Sequence, residues 1–174
     1  MGNAFIKGLS HSADNQIHVV EQISSVKAKL KDDFVVVVSN YDNPEKQMSE
    51  IVPLCDYVLI CVKPQVFKKI KESLKNLLSD NQIVISIMAG ISTENLCKGL
   101  GIKNAIRVMP NTPGQIGKGI SVWYKKNKIN SKFEEGIKNI LGALGESEEV
   151  YEEDIIDKAT AISGSGPGLS LIHI

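Results

Sequence analysis

Arg107-Val-Met-Pro-Asn-Thr-Pro113, backed by Gly114, Gly117 and Gly119, and Ser163-Gly-Ser-Gly-Pro167 further along, hold the residue types best suited to chemistry in this chain. An apolar strand that runs into Pro110-Asn111-Thr112-Pro113 stops hydrogen-bonding abruptly, because proline has no N–H. It thereby sets an amide, a hydroxyl and free backbone groups at one place, which suits a loop that holds a ligand. A plain surface turn uses the same prolines and glycines. Position favours the ligand loop, because it closes an alternating α/β stretch. His11, His18 and His173 are scattered and no His/Cys/Asp/Glu cluster has metal-ligand spacing, so no metal site is expected.

The elements that must position this loop are legible as short apolar runs. Residues 16–21, 34–39, 57–62, 82–87 and 104–109 are β-branched or apolar stretches of strand length, with the character of buried parallel strands. Between them Val66, Ile70, Leu74 and Leu77 recur at helical spacing, and Ser92 caps a short helix that Gly99 is expected to end. Residues 1–9 read as the beginning of a helix. After the Pro-Asn-Thr-Pro loop come a run over 120–124 and a helix opened by the capping box Ser131-x-x-Glu134, with Phe133, Ile137, Ile140 and Leu144 on one face. A short strand near Val150 and a helix through Ile155, Ile156, Ala159 and Ile162 follow.

This alternation implies an α/β fold with a doubly wound, mostly parallel sheet, in which ligands sit at the carboxyl ends of the strands. Those ends are Glu21-Gln22, Ser39-Asn40, Lys63-Pro64-Gln65, Met88-Ala89-Gly90 and Pro110-Asn111-Thr112. Gly or Pro at three of them lets backbone approach a flat ligand or turn sharply away from it. In a dinucleotide fold a strand and a G-x-G-x-x-G turn stand immediately ahead of the first helix; here that strand is missing, and Gly2 fits the third glycine. Glu21 lies ~20 residues on, the distance expected of an acidic residue that grips a ribose diol.

The 174 residues are 43% hydrophobic and 23% charged, a globular composition. Twenty basic and twenty acidic side chains cancel, which removes any general attraction to nucleic acid or an anionic membrane. Lys125, Lys126 and Lys128 read as a solvated turn. Cys55, Cys61 and Cys97 form no C-x-x-C pair and read as core thiols in a reducing compartment, with no disulfide expected; with no apolar run of membrane-spanning length, a cytoplasmic protein is expected.

Taken together, Val58-Leu-Ile-Cys-Val-Lys-Pro-Gln65, Val84-Ile-Ser-Ile-Met-Ala-Gly-Ile-Ser92, Ile106-Arg-Val-Met-Pro-Asn-Thr-Pro113 with Gly117-x-Gly119, and Thr160-Ala-Ile-Ser-Gly-Ser-Gly-Pro167 resemble the pyrroline-5-carboxylate reductases, in order from Met1 to about Pro167. The resemblance implies NADPH- or NADH-dependent reduction of the cyclic imine Δ1-pyrroline-5-carboxylate to L-proline, the last step of proline biosynthesis. It also implies a Rossmann-type domain over 1–152, incomplete at its N-terminus, and over 153–174 the start of an all-helical domain. That second domain makes the homo-oligomer and the substrate pocket in the family and is truncated here. Cofactor contacts are implied at Cys61, Val62, Lys63 and Pro64, at Met88, Ala89 and Gly90, and at Asn111, with Gly2 beside the pyrophosphate. Thr112 would face the nicotinamide side. Ser163, Gly164, Ser165 and Gly166 would open the second domain's first helix near the substrate carboxylate, or serve only as its cap.

The chain departs from the family pattern in three places. The first strand with its two glycines is absent, and after Pro167 the tail Gly168-Leu-Ser-Leu-Ile-His-Ile174 replaces the family's long helical domain, so this chain is expected to be inactive alone. The link from Ser39 to Asp56 is longer than usual, leaving Asn40 and Asn43 to compete for the adenosine contact, with Asn43 preferred. Glu21 favours a free ribose diol and hence NADH, while Ser24, Ser25 and Lys27 leave an NADPH site open. Two other readings stand beside this one: a reductase of the β-hydroxyacid dehydrogenase type, and a nucleotide-binding module without catalysis.

Overall fold

Every apolar run named above enters a ladder, but the ladders form two separate sheets. The computed structural model describes residues 1–11, 15–33, 37–38 and 43–164. Within them, strands β1 (His18–Val19) and β2 (Val37–Val38) pair parallel as a two-stranded sheet. Strands β3 (Tyr57–Ile60), β4 (Ile83–Ser86), β5 (Ala105–Met109), β6 (Gly119–Lys125) and β7 (Gly145–Glu149) form a five-stranded sheet in that spatial order. Its pairs are parallel except β5 with β6. The exception follows from the connection: only a 3₁₀ turn over Thr112–Ile116 joins those strands, too short for a parallel crossover.

The helices are α1 (Gly2–Leu9), α2 (Ser24–Asp33), α3 (Pro44–Ile51), α4 (Pro64–Lys75), α5 (Thr93–Leu100), α6 (Ser131–Gly142) and α7 (Asp154–Ala159). They cover both faces of the larger sheet. Ala4 and Phe5 of α1 and Ile137, Ile140 and Leu141 of α6 pack with Ile83, Ile85, Ile106, Val108 and Trp123. On the other face Met48, Phe67, Leu74, Leu96 and Leu100 from α3, α4 and α5 pack with Ile60, Val84 and Ala105. Strand β4 is buried along its whole length, sending Ile83 and Ile85 to one layer and Val84 to the other, as the two-residue period of a central strand requires. This is the doubly wound, mostly parallel architecture that the alternation predicted.

Helix α1 belongs to both sheets. Phe5 enters the large core, while Ile6 meets Leu30 of α2, with Ile17, Val19 and Val26 around them. Its approach to α6 is backbone to backbone: a Cβ on Gly8 would fall 2.4 Å from the Ala143 carbonyl oxygen.

Several local expectations are corrected. Helix α5 begins at the Ser92 cap, whose Oγ accepts from the Asn95 amide at 3.2 Å, but it ends at Gly101 in the left-handed region (φ 69°) rather than at Gly99. Helix α6 is capped by Asn130, whose side chain accepts from the Lys132 amide at 3.0 Å; Ser131 is already the first helical residue, so the capping box is displaced by one position. The short strand expected near Val150 is present, ends at Glu149 and reads Gly-Glu-Ser-Glu-Glu. It is the edge strand β7, where carboxylates discourage addition of another strand. Lys125 is no solvated turn residue: it ends β6, bonds Glu134, sits 3.0 Å from Glu149 and lies over the Trp123 ring.

Candidate functional site at the strand ends

The carboxyl ends of β3, β4 and β5 stand side by side, because these strands are parallel neighbours. Cys61, Val62 and Lys63 follow β3, and Pro64 occupies the first turn of α4, where its missing N–H costs nothing. Ile87, Met88, Ala89 and Gly90 follow β4. Gly90 has φ 72° and open space where a Cβ would stand, so it is a left-handed turn at an unobstructed rim. Met88 is divided between two roles: its side chain is buried in the α3–α4–α5 core, and its amide donates to Ser86 Oγ at 3.2 Å. Ala89 and Gly90 are the exposed part of that turn, and Lys63 is exposed beside it.

The N-terminus of α1 joins this row. A Cβ on Gly2 would lie 3.5 Å from Cys61 Cβ, so residues nearly sixty positions apart meet at the top of the sheet. The first amides of a helix have no intrahelical acceptor and carry partial positive charge, which favours an anion there. Burial pushes the Cys61 thiol up to about 11, against a smaller opposing pull from the N-terminal ammonium. Cys61 is therefore a neutral wall of the site at physiological pH and no nucleophile. A groove of about 510 Å³ opens beside this helix end, lined by Met1, Gly2, Lys7, Lys29 and Gln115 among others.

The two adenosine-side candidates are engaged locally. Glu21 Oε1 accepts from the amides of Gln22 (2.7 Å) and Ile23 (3.0 Å), so the carboxylate folds back on the loop after β1. Asn43 is the N-cap of α3, with Oδ1 accepting from the amides of Glu45 (2.9 Å) and Lys46 (3.3 Å). Its competitor Asn40 lies outside the described residues.

Asn111 acts as a bridge. Its Oδ1 accepts from the Ile120 amide at 3.0 Å and its Nδ2 donates to Ser163 Oγ at 3.3 Å, tying the end of β5 to the start of β6 and to the turn after α7. Thr112 is exposed at the head of the 3₁₀ turn. Ser163 and Gly164 lie in a π-helical turn, Thr160–Gly164, that continues α7; they do not open a new helix, which corrects the expectation from their sequence. Ser165 and Gly166 lie outside the described residues.

One cluster escaped the sequence reading. Arg107 is the lone charge in the apolar run Ala-Ile-Arg-Val-Met of β5 and is only 3% exposed. Its guanidinium holds both carboxylate oxygens of Asp157 and lies 3.5 Å from Glu153. Glu153 also accepts from the amide (2.7 Å) and hydroxyl (2.9 Å) of Thr93, the first residue of α5. A charged residue inside a buried strand, with Glu152-Glu153-Asp154 and Asp157 downstream, was the available signal. Among the described residues no group of three or more His, Cys, Asp or Glu side chains is arranged to hold a metal ion.

A family model described as NADP oxidoreductase, coenzyme F420-dependent, matches residues 1–90. A pyrroline-5-carboxylate reductase of Corynebacterium melassecola is 32% identical over 176 residues, covering 96% of this chain and 62% of that protein. The structure of a pyrroline-5-carboxylate reductase from Coxiella burnetii matches with a TM-score of 0.85 at 27% identity, over 98% of this chain and 63% of that one. The pyrroline carboxylate reductase of Plasmodium falciparum, crystallised with NADP bound, shares the fold at 23% identity, with a TM-score of 0.76 over 99% of this chain and 62% of that one. The chain thus spans less than two thirds of the length of these relatives.

Proposed function

From the premise that this chain belongs to the NADP oxidoreductase, coenzyme F420-dependent family, with pyrroline-5-carboxylate reductases as its relatives, we propose that it is the cofactor-binding part of an enzyme that reduces Δ1-pyrroline-5-carboxylate to L-proline with NADPH or NADH. The observation that carries this reading is the row of strand ends at Cys61–Pro64 and Met88–Gly90, with the α1 N-terminus set against Cys61. The fit to a dinucleotide is physical. An open glycine turn lets main chain lie against a flat ring, and free helix amides beside it suit a pyrophosphate.

When bound, the dihydronicotinamide would supply a hydride to the imine carbon while the imine nitrogen takes a proton from solvent, giving the secondary amine and the oxidised cofactor. The chain's own residues orient and shield that exchange. Lys63 places a cation at the mouth of the row, Ala89 and Gly90 present main chain, and the Asn111–Ser163 bridge closes the β5 side. Cys61, held as a neutral thiol, takes no part in proton transfer.

We further propose that residues 1–152 are the dinucleotide domain and 153–174 the start of a helical one, and that a strand ahead of α1 fits between β1 and β3. The support is that, among the described residues, no ladder joins the two sheets there. Calorimetric titration of NADPH and NADH into the 174-residue chain, and into a form extended at both ends as in the relatives, tests the proposal. Binding and proline formation by the extended form are expected. Tight binding by the short chain, with no turnover by either, would favour a nucleotide-binding module instead, and turnover by the short chain would show that it needs no extension.

A further inference from the structure

Arg107 lies within β5, is the most buried cation among the described residues, and its carboxylate contacts converge on one helix. Its two carboxylate partners, Glu153 and Asp157, lie one turn apart at the start of α7. Glu153 also grips the first residue of α5, three residues beyond Gly90. At the other end of α7, Ser163 receives the Asn111 side chain. The helix is therefore fastened at both ends to the loops that leave β4 and β5. Between the fastenings only Ile156 is fully buried, so apolar packing alone holds this six-residue helix weakly.

We propose that Arg107 is a positioning residue: through Glu153 and Asp157 it sets the orientation of α7, and α7 carries Ser163 to Asn111, fixing the substrate side of the nicotinamide cleft. A planar guanidinium bound by both oxygens of a carboxylate fixes direction as well as distance, which a lysine ammonium does not. This is not a free surface ion pair, because the guanidinium is buried although the Asp157 side chain is 63% exposed. The final clause of the proposal rests on the reductase reading; the orientation of α7 does not.

Amide hydrogen exchange and steady-state kinetics together test it. In the full-length enzyme, Arg107→Lys, Arg107→Met and Asp157→Asn are compared with the unaltered protein. Exchange over residues 155–164 should quicken about tenfold or more while β3 and β4 keep their protection, with Arg107→Lys failing to restore it. Activity on the pyrroline should fall roughly 10- to 100-fold, through kcat and the imine KM, with the KM for NAD(P)H within about twofold. Should Arg107→Met fail to fold, Asp157→Asn carries the test, since that side chain is largely in solvent. Unchanged exchange over 155–164 overturns the proposal. Faster exchange with unchanged imine kinetics overturns its catalytic clause. If the unaltered enzyme does not reduce the imine, the reductase reading fails and exchange alone decides the orientation of α7.

Discussion

The two sheets were built from similar material and came out differently. Among the described residues Val37 and Val38 of β2 pair with β1 alone, whereas β4 has a parallel neighbour on each side. The larger sheet has helices on both faces and five strands in register, so each added residue gains a neighbour and a covering side chain. Among the described residues the smaller sheet has one partner per strand and a cluster of Ile6 and Leu30 with a few half-buried neighbours. The same contrast divides the candidate site: the β3–β5 row rests on the large core, whereas Glu21 is held by amides of its own loop and Asn43 by the first amides of α3.

Helix α1 links the two regions, so crowding it should have the largest effect. Gly8→Val puts a branched side chain where even a Cβ meets the Ala143 carbonyl oxygen at 2.4 Å, and a loss of about 3 kcal/mol or more is expected. Urea unfolding followed by Trp123 fluorescence reads this directly, because Trp123 is 1% exposed. A cost below about 1 kcal/mol would mean that α1 is not seated on α6.

Truncating one leucine in each region sharpens the contrast. Leu141→Ala empties the large core and should cost about 3–5 kcal/mol, whereas Leu30→Ala, in a cluster better able to collapse, should cost about 2 kcal/mol. Equal costs by the same unfolding measurement would break the comparison. At the site, Gly90→Ala adds no clash but strains a left-handed residue by about 1–2 kcal/mol. If the turn flips to relieve that strain, NAD(P)H affinity falls by about tenfold, read by calorimetry. Unchanged affinity would remove Gly90 from the site.

The smallest effect concerns pH. The Lys125 hydrogen bond holds the Glu134 carboxyl below the usual carboxylate range. Burial would lower the Lys125 ammonium, but hydrogen bonds to Glu134 and Glu149 outweigh it and hold it above its ordinary value. A depressed acid contributes stability above its unfolded pKa that is lost as pH falls through the folded one; a raised base contributes below its unfolded pKa and loses that as pH rises through the folded one. The pair therefore stabilises the fold across neutral pH and fades in acid and strong alkali. Glu134→Gln should lower the melting temperature slightly at pH 7 and not at pH 3, and an equal loss at both would show that packing, not charge, is responsible.

Much of the site was legible because it is local. Prolines, glycines and apolar runs mark where strands stop, and the order of the runs makes the strand ends neighbours. The exact caps were less legible: Asn130 and Ser131 are both good capping residues, and only the position at which the chain enters α6 chooses between them. Arg107 was visible as a charge in a strand, but its partners lie some fifty residues downstream on another element.

By itself the sequence determined the α/β order, the helix faces, the positions of the loops and the kinship, since each depends on residue types at short spacing. The tertiary structure decided the meeting of Gly2 with Cys61, the use of Asn111 and Ser163 as a bridge, and the fastening of α7 by Arg107. Those depend on which distant segments share a ladder or a buried charge, and side-chain contacts of that range leave no periodic trace along the chain.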